Sequence, residues 1–286
     1  MNRLGVGRAN RMGIVDDPAL HTLAQRIAIA RDERDGGDSS TGPVECTSPG
    51  GTTDSTGARP PILVGITGSV AVGKSTLAAG VASVLRDNGR VVEVVSTDGF
   101  LWPNEELNRL GLAMRKGFPE SYDRDGLASL LRAIAARGCG GMVIPIYDHF
   151  RYDVSPTERH VLTRADVVVI EGLCLLGPGA DCAIGPIAEP LDLTIYVDAD
   201  AADIEAWHRA RFVANARRAA AEPGGFWDLF SGFDDASLDT AAAYTWDEIN
   251  AENLRSHVLP GRGDADIVVT KAADHSIVGI HPNPEH

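Results

Sequence analysis

Short apolar runs alternate with longer segments that carry apolar residues at helical spacing, from about residue 60 to the C-terminus. That alternation predicts an α/β fold, a mainly parallel sheet covered by helices on both faces, because strands buried on two sides read as continuous apolar runs. The predicted strands are Ile62–Thr67, Val91–Ser96, Met142–Tyr147, Val167–Gly172, Leu193–Asp198 and Asp266–Lys271. Between them, helices are predicted at about 74–87, 123–137, 200–220 and 236–257. Ahead of this region, residues 16–34 place Leu20, Leu23, Ile27 and Ala30 behind an Asp-Pro start, the pattern of one amphipathic helix. Residues 35–61 are rich in Gly, Ser, Thr and Pro and poor in large apolar residues, a linker composition. The expected division is therefore a helix plus flexible linker over 1–58 and one folded domain over 59–286.

Composition narrows the function classes. The chain has 286 residues, 44% of them hydrophobic, enough for one large domain with a real core. Its formal net charge of -14 speaks against nucleic-acid binding, which needs clustered Lys and Arg to neutralise phosphates. An anionic ligand must instead meet a local basic site. Cys46, Cys139, Cys174 and Cys182 form no C-x-x-C pair and no dense cluster, so reduced thiols of a cytoplasmic protein are expected, with neither a disulfide framework nor a cysteine metal site. No apolar run approaches the roughly 20 residues of a membrane span, and no signal pattern opens the chain.

Candidate chemistry begins at GSVAVGKST, the residues Gly68, Ser69, Val70, Ala71, Val72, Gly73, Lys74, Ser75 and Thr76. A predicted strand runs into this stretch and a predicted helix leaves it, so the spacing G-x-x-x-x-G-K-S fits a phosphate-binding loop at a helix N-terminus. Lys74 would then bridge the β and γ phosphates of ATP or GTP, and Ser75 would ligate Mg2+. Such a loop serves kinases, GTPases and motor ATPases alike. Asp98, after the strand ending at Ser96, sits where open α/β sheets place ligands; it could take a proton from an acceptor hydroxyl, or be one half of a turn-forming Asp-Gly pair. Glu171 ends another strand and could hold magnesium directly or through water, or face solvent.

Taken in order, GSVAVGKST, STDGFLWPN, RKGFPESYD (115–123), YDHFRYD (147–153), EGL (171–173), IYVDA (195–199), WDEIN (246–250) and KAADHSI (271–277) closely resemble the bacterial type I pantothenate kinases. These belong to a wider P-loop group with uridine kinases and phosphoribulokinases. The resemblance implies a kinase in which Lys74 and Ser75 hold phosphates and magnesium, Asp98 faces the acceptor hydroxyl as base, and Arg211 stabilises charge on the transferring group. It also implies that His149, Tyr152 and Asn250 line the acceptor pocket, that His275 packs against the nucleotide base, and that the chain forms a homodimer.

Departures from the family gather on one helical face. His208, Arg211, Phe212 and Asn215 fall at i, i+3, i+4 and i+7. The family carries tyrosine at the first and an apolar residue at the last. Histidine can carry charge near neutral pH, and asparagine adds donors and an acceptor to the wall, so a more polar acceptor is expected. Ala79 replaces an arginine that contacts the feedback inhibitor coenzyme A in the family, which argues against that inhibition. Pantothenate is the acceptor implied by resemblance. The competing readings are a paralogue acting on another polar hydroxyl, such as a nucleoside sugar, and a non-catalytic nucleotide-binding regulator. The joint presence of Lys74, Ser75, Asp98 and Arg211 speaks against the last.

Overall fold

A computed structural model describes residues 17–36, 60–181, 183, 185–219 and 223–283. The sequence-predicted linker, and Cys46 and Cys182 with it, lie outside the described residues. A six-stranded sheet runs in the order β2-β5-β1-β6-β7-β8. Its strands are β1 (Ile62–Gly68), β2 (Val92–Ser96), β5 (Val167–Glu171), β6 (Leu193–Asp198), β7 (Ile267–Lys271) and β8 (Ile277–Pro282). The first five pair in parallel and β8 closes one edge antiparallel to β7. All seven residues of β1 are buried, since β5 and β6 flank it and helices cover both faces. Alternation along the strands sends Ile62, Val64, Ile66, Val167 and Val169 to one core and Leu63, Val168 and Ile170 to another.

The first core is covered by α1 (Pro18–Gly36) and α2 (Lys74–Asp87), the second by α4 (Arg124–Arg137). Leu20, Leu23 and Ile27 of α1 are buried in the same cluster as β1, so this helix is packed on the sheet rather than set apart from it. Arg31 donates to the Pro60 carbonyl and Arg34 pairs with Asp192 at 2.8 Å, which ties α1 to the start of β1.

Three strands depart from the sequence expectation. β3 (Val143–Asp148) does not join the parallel sheet; it pairs antiparallel with β4 (Asp153–Val161) as a separate ribbon. Apolar runs report burial and not the partner strand, which is why β3 reads like a sheet member. β4 escapes the same reading because it is largely exposed and carries no apolar run, and β8 because its short run Ile277–Ile280 is broken by Gly279 and is only half-buried. The remaining helices are α3 (Asn104–Arg109), α5 (Ala201–Ala219) and α6 (Asp235–Thr245), the last prolonged by π-helical turns at Trp246–Asn250 and Leu254–Val258.

Candidate active site

The connection leaving β1 crosses to β2 at one edge of the sheet while that leaving its neighbour β6 runs the other way to β7, and ligands of open α/β sheets bind in the crevice at such a point. Gly68 ends β1 there. Its φ is 143°, and a Cβ on it would lie 2.4 Å from the Val197 carbonyl oxygen of β6, so only glycine lets the loop leave the strand. Ala71 also adopts a left-handed φ of 62°, and the loop then enters α2 at Lys74.

Lys74 is buried and donates from Nζ to the Ser69 carbonyl at 2.8 Å. Burial lowers its pKa, the carboxylates of Glu171 and Asp98 raise it, and Arg211 lowers it again. Glu171 ends β5 and is itself buried; burial pushes its pKa up, Lys74 pulls it down, and hydrogen bonds from Ser96 and Ser75 favour the carboxylate. Asp98 lies in the helical turn Thr97–Phe100 after β2, its N–H directed at Ser96 Oγ. Ser96 thus links the two acids. Lys74, Ser75, Asp98, Glu171 and Arg211 all line one cleft of about 1770 Å3, larger than the pocket of a single small ligand.

The residues expected on the acceptor side line the same cleft. Tyr152 takes a φ of 55°, stacks on Phe226 at 4.4 Å and keeps its phenol neutral, its pKa raised by burial. His149 is exposed at the rim, edge-on to Tyr147 at 5.1 Å. Asn250, in the first π-helical turn, donates from Nδ2 to the Thr245 carbonyl at 2.9 Å. His208, Arg211, Phe212 and Asn215 of α5 all reach the cleft, as their spacing predicts. Arg211 is exposed on the cleft side yet crowded by protein; that crowding lowers its pKa, while Tyr152 and Asp98 raise it.

One expectation is corrected. His208 is not charged near neutral pH: burial, and then Arg211, push its pKa down to about 4. Among the loop residues, Val70, Ala71, Lys74 and Ser75 line the cleft, whereas Val72 packs in the core. Ser69 is buried and Thr76 exposed; neither they nor Gly68 and Gly73 line the cleft. His275 lies apart from the cleft lining, exposed and stacked on Trp207 at 3.9 Å, with a φ of 69°.

Three site elements escape the sequence reading. Lys116 donates to Asn104 Oδ1 and to the Tyr152 carbonyl, both at 2.6 Å, beneath the rings of Tyr147 and Tyr152. Burial lowers its pKa to about 8, against the pull of Asp153 and Asp98. Lys271, at the carboxyl end of β7, donates to the Val72 carbonyl at 3.1 Å and so holds the phosphate loop from the far strand. The helical turn Phe226–Phe230 adds an aromatic wall, Phe212 meeting Trp227 and Phe230 edge-on at 5.1 and 4.9 Å. Lys116 and Lys271 stand inside RKGFPESYD and KAADHSI, so those motifs were the available signal; the aromatic turn has no periodicity to betray it.

Residues 63–212 match the phosphoribulokinase / uridine kinase family. A pantothenate kinase of Rhodococcus erythropolis is 40% identical over 219 residues, 76% of this chain and 69% of the relative. The Vibrio cholerae pantothenate kinase is 38% identical over 228 residues, 78% of this chain and 72% of that one. In fold, the chain is similar to a D-glycerate 3-kinase from Cryptococcus neoformans, with a TM-score of 0.57 at 16% identity over 93% of this chain and 99% of that one.

Proposed function

The chain belongs to the phosphoribulokinase / uridine kinase family and, within it, to the pantothenate kinases, and from that membership we propose how its cleft works as a small-molecule kinase site and which acceptor it takes. The observation that carries the proposal is the convergence of Lys74, Asp98, Glu171 and Arg211 on one cleft from four separate elements. Asp98 takes the proton of the acceptor hydroxyl. As that oxygen bonds to the γ-phosphorus, the bond from phosphorus to the bridging oxygen of the nucleotide breaks, and Lys74 and Arg211 stabilise the charge that spreads over the transferring group.

The residues present fit a magnesium ion. Glu171 is buried beside Ser75, and burial disfavours its carboxylate, a cost that a bound cation removes. Ser75 and Glu171 would hold that ion, which neutralises negative charge on the nucleotide phosphates. The acceptor follows from resemblance as pantothenate. ATP or GTP as donor, a homodimer and a cytoplasmic location belong to the same proposal; no described helix is long and apolar enough to cross a membrane.

A second reading has its own observation. Asn215, Arg218, Ser237 and Thr240 line the cleft from α5 and α6, a polar wall suited to a more hydroxylated acceptor such as a nucleoside sugar. Purified protein is offered pantothenate and a nucleoside panel with ATP and with GTP. Turnover of pantothenate with ordinary affinity supports the first reading and removes the second. Asp98→Ala lowers kcat at least 100-fold with nucleotide affinity kept; unchanged product formation would refute the assigned base.

A further inference from the structure

Two residues lining the acceptor cleft, Tyr122 and His208, each bury a polar atom without a partner, and for His208 the chemical state of that atom follows from its neighbours. His208 is only 7% exposed, and its Nε2 lies 3.0 Å from Thr245 Oγ1. The Thr245 hydroxyl also lies 2.9 Å from the Ala242 carbonyl. A carbonyl has no hydrogen, so the hydroxyl donates there, and it can only accept from His208. Nε2 therefore carries the ring hydrogen. A neutral imidazole has one N–H, which leaves Nδ1 as a bare lone pair. A second proton is held off the ring by its burial and by the Arg211 guanidinium. The other groups packed against the ring, Phe212 and Trp246, are aromatic and carry no charge.

Nδ1 is buried and no protein group meets it, although the ring lines the cleft. Buried polar atoms in folded proteins nearly always have a partner, so the bare Nδ1 points to the bound acceptor. We propose that His208 Nδ1 is a specificity determinant that accepts a hydrogen bond from a neutral donor on the acceptor substrate, a hydroxyl or an amide N–H, and turns away a carboxylate. A carboxylate would bring only lone pairs to that atom, and the unfavourable pairing discriminates as strongly as the favourable one. This inference rests on the reading of the cleft as the acceptor site of a kinase. It adds to that reading the polarity that the substrate must present.

The test compares kcat/KM for pantothenate and for pantothenol, in which a primary alcohol replaces the carboxylate, in the unaltered protein and in His208→Phe and His208→Asn. The unaltered protein is expected to prefer pantothenol about tenfold, the size of one hydrogen bond made or lost. His208→Phe keeps a ring and removes both nitrogens, and should erase the preference. His208→Asn places Oδ1 near the position of Nδ1 and should retain it. A preference for pantothenate in the unaltered protein, or one ratio in all three proteins, overturns the proposal. If neither compound is phosphorylated but ribonucleosides are, the pantothenate assignment fails separately. His208 is then judged by whether His208→Phe erases discrimination between ribonucleosides and their 2′- and 3′-deoxy counterparts; unaltered discrimination overturns the proposal. Ring 15N NMR of the ligand-free protein decides the tautomer independently of turnover: Nε2–H with bare Nδ1 from pH 5 to 8 is expected, and Nδ1–H or a protonated ring overturns it.

Discussion

Replacing Gly99 by alanine isolates how Asp98, the proposed base, is aimed. Gly99 does not adopt a left-handed φ, so its turn conformation is open to any residue. What glycine supplies is closeness: a Cβ built on it would lie 2.2 Å from the Pro145 carbonyl oxygen and 2.9 Å from the carbon of that carbonyl, both backbone atoms of β3. That is about 1.2 Å short of ordinary contact, and neither partner is a flexible side chain that could swing aside. The helical turn Thr97–Phe100 and the β3–β4 ribbon must therefore separate by about an ångström. Overpacking of this kind costs about 1–3 kcal/mol, a fall of several degrees in Tm for a chain of this size. The larger effect falls on catalysis. Asp98 is the neighbouring residue, and an ångström of misplacement at a reacting group costs on the order of 100-fold in rate. Gly99→Ala is assayed for kcat, nucleotide affinity and Tm beside Gly232→Ala, whose added Cβ meets nothing within 4 Å. The expected result is a loss of kcat near 100-fold with nucleotide affinity within a fewfold, while Gly232→Ala behaves as the unaltered protein. Full kcat in Gly99→Ala would refute the claim that close packing of the turn on β3 aims the base.

Two further outcomes are expected. Lys116, with a pKa of about 8, should lose its proton and its grip on Tyr152 as pH rises, so kcat/KM for the acceptor falls through pH 8, and Lys116→Arg moves that fall to higher pH. Stability changes in the opposite sense: an unfolded lysine keeps its proton to about 10.4, so between about 8 and 10.4 the unfolded chain binds more protons and this group's contribution to stability rises with pH. Parallel falls in activity and stability would count against Lys116 as the cause. Lys271→Met removes the bond to Val72, so nucleotide affinity should weaken about tenfold with KM for the acceptor unchanged; isothermal titration showing equal affinity would remove Lys271 from the loop's support.

What the chain declares by itself is what local chemistry and periodicity encode. The phosphate loop is legible because strand, glycines, lysine and helix are contiguous, and its function rests on backbone N–H groups that need no distant partner. The buried strands are legible because burial on both faces leaves an apolar run. The α5 face is legible because helical spacing alone gathers His208, Arg211, Phe212 and Asn215. Only the tertiary structure decides what each meets across the fold. β3 looks like its neighbours in sequence, yet its partner is β4, since an apolar run does not name the strand it pairs with. Lys271 and Val72 are 199 residues apart, and no local pattern joins them. Gly99 looks like a turn former and proves to be a point of backbone contact with β3. His208 reads in isolation as a residue that charges near neutral pH. Packed beneath Trp246, beside Arg211 and bonded to Thr245, it stays neutral with its Nδ1 lone pair bare, because burial and neighbours set the proton and not the residue type.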